Sequence, residues 1–138
     1  MSELCEGFIE HYLRARQILV QTVADDPQAR VGEWNTDQIL MHVASWDREA
    51  TGFVPGMVRG EPEPEYDDDT FNAAAVERLG RLTPAKQRAE FEAAGEAFVA
   101  MLRSLPEEAF EDGAPASSWA AGLTGHALEH AEAIYHAE

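Results

Sequence analysis

The chain predicts an all-α protein, an antiparallel four-helix bundle, and three observations carry that expectation. Apolar residues recur at spacings of three and four through most of its 138 residues; no stretch shows the strict alternation of a half-buried strand; and the helical stretches are long, with mostly short connections. The length fits a single domain over residues 1–138, large enough to bury a core without disulfides.

The first amphipathic stretch runs from about Ser2 to Val23, with Leu4, Phe8, Tyr12, Ala15, Ile18 or Leu19 and Val23 on one side. Ser2 is its expected cap, and Asp25-Asp26-Pro27 ends it, because a proline disfavours helical backbone in the residue before it. After the connector Val31-Gly32-Glu33-Trp34, Asn35 and Gln38 form a capping-box pattern. Ile39, Leu40, Val43, Trp46 and Ala50 then define the second stripe, with a ragged continuation expected to about Arg59 past Gly52, Pro55 and Gly56. The acidic run from Glu61 to Asp69 lacks the ligand spacing of a calcium loop and reads as a solvated connection. Asp69 or Thr70 is the expected cap of a third helix, interrupted near Gly80 and restarted by Thr83-Pro84, whose stripe of Phe91, Ala94, Phe98, Met101, Leu102 and Leu105 ends before Pro106. Residues 110–116 read as a loop, and Ser117 or Ser118 as the start of the last helix.

That last helix carries the chemistry. Trp119, Leu123, His126, His130 and Ile134 share one face, so two imidazoles four residues apart look inward together. His42 lies in or beside the apolar stripe of the second helix. Buried histidines need partners, and a pair on one face would repel if both were protonated. A divalent ion such as zinc, nickel, iron or manganese removes that conflict and leaves positions for water or substrate. The competing reading has the same rings hydrogen-bonded to Glu or Tyr groups in a polar seam.

The string His126-Ala127-Leu128-Glu129-His130 also fits the H-x-x-E-H pattern of a metalloprotease family, but that family takes a further acidic ligand well downstream and only eight residues follow here. Glu129 and Asp47 are the candidate catalytic groups; Glu129 reads equally well as a ring-orienting acceptor or a solvated residue, and Asp47 better as the exposed start of the Asp47-Arg48-Glu49 cluster. Trp46, Trp119, His11 and Tyr12 are expected to line a pocket, whereas His136 falls off the ligand face.

A formal charge of -16, with ten Lys and Arg, argues against nucleic acid and anionic membrane as partners. The single cysteine, Cys5, excludes an internal disulfide and reads as a packing residue. Without a basic leader or a long apolar run, a cytoplasmic location is expected. No phosphate-cradling glycine loop or nucleophile elbow occurs, and Ser117-Ser118 has no adjacent base.

The segment Trp34-Asn35-Thr36 leading to Ile39-Leu40-Met41-His42-Val43-Ala44-Ser45-Trp46-Asp47, with Gly60 later, resembles the second-helix signature of the DinB-like superfamily. Trp119 through His126, His130 and Ile134 resembles its H-x-x-x-H helix, and Phe71-Asn72 is similar to the colibactin-resistance branch of cyclopropane hydrolases. The resemblance implies a four-helix bundle, often dimeric, with a divalent metal on three histidines, here His42, His126 and His130. Relatives of that layout include bacillithiol- or mycothiol-dependent transferases and isomerases. The cyclopropane-hydrolase branch does not depend on a full triad, so three retained histidines lean towards the metal-binding branches. The expectation is a metal-dependent hydrolase or thiol S-transferase acting on a small molecule, with a low-molecular-weight thiol as a candidate cofactor. The alternative is a non-catalytic module that binds or sequesters a small molecule in the same cavity.

Overall fold

The computed structural model describes residues 3–137. They form α1 (Glu3–Asp25), a hairpin of β1 (Arg30–Val31) and β2 (Trp34–Asn35), α2 (Thr36–Val58), α3 (Asp68–Gly80), α4 (Pro84–Arg103), a 3-10 turn (Glu107–Phe110) and α5 (Pro115–Tyr135). α1 packs chiefly along α5 and α2 along α4, while α2 also touches α5 and α3. The four long helices make the expected bundle, and α3 is the expected break near Gly80 drawn as a separate short helix. The proposed Ser2 cap lies outside the described residues.

Local chemistry sets the boundaries. Asn35 and Gln38 close a reciprocal capping box at the start of α2. Its end lies beyond Pro55, where the Glu61 and Gly60 amides bond the Gly56 and Met57 carbonyls. Gly60, at φ 99°, supplies the left-handed residue that this closure requires. Thr83 caps α4 with Pro84 in its first turn.

Two starts differ from expectation. Asp67, not Asp69 or Thr70, caps α3 by accepting from the Thr70 amide. α5 begins at Pro115, whose missing N–H is lost at no cost in a first turn, and the Ser117 hydroxyl donates back to the Glu111 and Ala114 carbonyls instead of capping. The hairpin went unread because two-residue strands carry no periodicity.

The core falls into two apolar clusters. One gathers Leu19, Val23, Ile39, Leu40, Phe91 and Ile134; the other Ile9, Val54, Phe98, Leu102, Phe110 and Leu123. At the level where they meet lies a buried polar knot. Arg16 of α1 donates to Asp47 of α2 and to the Phe91 carbonyl of α4, and Tyr12 donates to Asp47 at 2.8 Å. The guanidinium also stacks 3.8 Å from the Phe91 ring centroid. Gly95 makes room for it, since a Cβ there would lie 2.5 Å from Arg16 Nε. No described helix is long and apolar enough to cross a membrane.

Candidate metal centre

α2 and α5 bring the three histidines to one point. His126 Nε2 lies 2.9 Å from His42 Nε2 and 3.1 Å from His130 Nε2, and one nitrogen from each ring falls within 4.8 Å of the others. The rings stand nearly perpendicular to one another, at 77–79°. Trp34, held by the hairpin, packs its ring 4.6 Å from that of His42. The short β ladder therefore fixes one wall of the site.

The electrostatics favour neutral imidazoles. Burial, followed by the neighbouring rings, lowers His42 to about 3 and His126 to about 4. Burial also lowers His130, against the opposing influence of Glu129. A neutral imidazole offers one N–H and one lone pair, so these nitrogens either share protons in N–H···N contacts or, with the protons on Nδ1, direct three lone pairs at one point. A cation fits there. At metal–nitrogen lengths of about 2.0–2.1 Å, adjacent donors sit about 2.9 Å apart in octahedral and about 3.3 Å in tetrahedral geometry, close to the spacings observed. His42 Nδ1 is buried without a well-aligned hydrogen-bond partner, while the Asn72 side chain beside the ring opposes part of the lowering of its pKa.

A cavity of about 380 Å³ opens beside His42 and His126, walled by Trp46, Trp119, Asn72 and Leu123, with Asp68 at its rim. Trp46 Nε1 donates to Asn72 Oδ1 at 2.7 Å, which fixes the indole edge and links α2 to α3. A larger groove of about 710 Å³ between α1 and α4 is lined in part by Arg16, but that guanidinium is already committed to Asp47 and Phe91, and none of the three histidines lines it.

The remaining candidates are placed differently. His11 is exposed on α1 and does not border the cavity: one residue from Tyr12 is about 100° around the helix, which turns it outward. Tyr12 is buried in the polar knot and lines none of the cavities described. Asp47, read as an exposed charge, is 1% exposed and engaged by Arg16 and Tyr12. Burial pushes its carboxyl up to about 6, with Arg16 and Tyr12 pulling the other way. Glu129 is exposed, as is His136. Sequence reasoning missed Arg16, although its spacing of four from Tyr12 and three from Leu19 puts it on the buried face.

A family model described as the mycothiol maleylpyruvate isomerase N-terminal domain matches residues 9–133. The chain belongs to that family. The family is part of the DinB-like superfamily, in agreement with the helical bundle and with the resemblance carried by the α2 and α5 motifs. The matched span includes all three converging histidines and both tryptophan walls. No curated protein and no solved structure matches the chain.

Proposed function

We propose that this family member is a divalent-metal-dependent enzyme, of hydrolase or thiol S-transferase type, whose ion is held by His42, His126 and His130. The observation that carries the reading is the meeting of three Nε2 atoms, one on the buried His42 and two on the half-buried His126 and His130, beside an aromatic-walled cavity. A divalent ion bound there supplies acidity to a coordinated water or low-molecular-weight thiol and polarises the substrate. The thiol alternative draws its support from the mycothiol named in the family description.

The chain's own residues do the rest. Partial burial in the bundle lowers the imidazole pKa values and so favours unprotonated rings near neutral pH, as metal ligation requires. His42 from α2 and His126 and His130 from α5 would hold the ion with three protein ligands, fewer than a closed structural site uses, and His42 and His126 also line the cavity. Trp46 and Trp119 present flat apolar faces that orient a small substrate. Asp47 is tied to Arg16 and Glu129 is exposed, so the carboxylate at the cavity rim is Asp68.

Elemental analysis of protein purified without a His-tag tests the proposal. Stoichiometric metal, lost in His126→Ala, is expected. Absence of metal together with no rise in melting temperature on adding zinc or nickel would reject it.

A further inference from the structure

The cavity beside the triad shares part of its lining with a second chamber. Trp46, Trp119 and Asp68 line both, so the space that reaches His42 and His126 adjoins an outer chamber of about 610 Å³. The outer chamber adds Glu63, Pro64, Glu65 and Tyr66 from the connection between α2 and α3. Neither space has a lysine or arginine in its lining.

The aromatic residues there form one built cluster. Trp46 packs against Phe71 at 4.5 Å and Tyr66 at 5.2 Å between ring centroids, and Trp119 packs against Phe53 at 4.8 Å. Glu63 Oε1 accepts from Trp119 Nε1 at 2.8 Å, which ties the acidic connection across to α5 and holds one carboxylate against an indole edge. Tyr66 donates to Glu49 at 2.9 Å, which anchors the same segment to α2. Arg59, near the start of the connection, is paired with Glu61 and leaves the chamber carboxylates uncompensated.

Ring faces carry negative quadrupole potential, and the exposed carboxylates of Glu63, Glu65 and Asp68 beside them add full charge of the same sign. A carboxylate or phosphate group entering this chamber would meet three like charges with no cationic partner. An ammonium-type group would meet attraction from both rings and carboxylates. We propose that the outer chamber is a subsite for the cationic end of the substrate, lined by Trp46, Trp119, Tyr66, Glu63, Glu65 and Asp68. The substrate class is then a small molecule with an ammonium group at one end and its reactive group at the other, directed past Trp46 and Trp119 towards the histidines. This deepens the proposed function and rests on its reading of the cavity as the substrate site.

Calorimetric titration tests it with three probes of one shape: choline, its uncharged tert-butyl isostere, and the corresponding carboxylate. Choline should bind at least about tenfold more tightly than the neutral isostere, with no binding of the carboxylate, and the preference should weaken with added salt. The triple variant Glu63→Gln, Glu65→Gln, Asp68→Asn keeps side-chain size and an acceptor for Trp119, and should abolish the preference. Trp119→Leu should weaken choline more than the isostere. Equal binding of charged and neutral probes, tighter binding of the carboxylate, or a preference surviving in the triple variant would overturn the proposal. Metal content measured on the same samples separates the two readings: His126→Ala should lose metal and keep the charge preference, so either result can fail alone.

Discussion

Gly95→Ala gives the sharpest test of the packing around Arg16, because two effects of opposite sign compete there. Replacing glycine in a helix interior by alanine ordinarily stabilises by about 0.8–1.0 kcal/mol. Gly52, exposed in mid-α2 with nothing near its would-be Cβ, should show that gain. At Gly95 the new Cβ would lie 2.5, 2.7 and 2.8 Å from Arg16 Nε, Cζ and Nη2. Ordinary contact begins near 3.5 Å, so the guanidinium would have to retreat by about 1 Å. It cannot do so freely, since it is held by Asp47, the Phe91 carbonyl and the Phe91 ring. Overpacking costs about 1–3 kcal/mol, and a weakened hydrogen bond to a charged group about 1.5–3 kcal/mol. Set against the propensity gain, Gly95→Ala should destabilise by about 1.5–5 kcal/mol, which is a fall of roughly 4 °C in Tm per kcal/mol for a domain of this size. Urea unfolding of both variants, and of Gly95→Ala in an Arg16→Met background, measures it. In that background the glycine replacement should become neutral or stabilising. If Gly95→Ala gains as much as Gly52→Ala in the wild-type background, the account of Arg16 is wrong.

The remaining predictions concern the polar knot and the histidines. Asp47→Asn leaves a buried guanidinium without its counter-charge and should cost about 3–5 kcal/mol, while Arg16→Met with Asp47→Leu together should cost far less than the single changes summed, as read by a double-mutant cycle. Chelation should lower the Tm of metal-loaded protein, and free metal at one hundred times its Kd should restore about 2.7 kcal/mol; His130→Ala should lose that response in a thermal-shift titration. Metal-free protein should lose stability in acid. His42 and His126 hold pKa values of about 3 and 4 against 6.5 when unfolded, so as pH falls below 6.5 the unfolded chain gains protons that the folded chain refuses. The loss should approach about 1.4 kcal/mol per pH unit for each histidine until the folded values are reached. Asp47, raised to about 6 from 3.8, acts in the opposite direction over a narrower window and should not reverse the sign. Urea midpoints from pH 7 to 4 check this, and a flat profile would contradict burial of neutral rings.

The bundle and the histidine triad were legible because both follow from helical periodicity. A spacing of four puts His126 and His130 on one face whatever surrounds them, and the α2 stripe carries His42 inward by the same rule. Asp47 obeyed that rule as well, four residues after Val43 and three before Ala50, yet its residue type and charged neighbours suggested exposure. The register was the better guide, since Arg16, on the corresponding face of α1, was there to neutralise it. Contacts between distant segments left no such trace. Glu63 and Trp119 are 56 residues apart, and no local pattern couples an acidic connection to an indole on the last helix.

The donor set also constrains the chemistry at the site. Three neutral imidazoles bring no negative charge, so a divalent ion among them would keep its full charge in a partly buried place. That charge favours an anionic ligand on the open side, which is the condition for drawing a proton from a bound water or thiol near neutral pH. A carboxylate ligand in place of one histidine would reduce that acidity. Glu129 acts on His130 from the exposed side of α5, and the acidic residues on the cavity side are Asp68, Glu63 and Glu65. Separation of the two charges suits a substrate of two ends, one attracted to the carboxylates and the other to the ion. The His126→Ala and triple-carboxylate variants divide these contributions, the first through metal content and the second through probe selectivity.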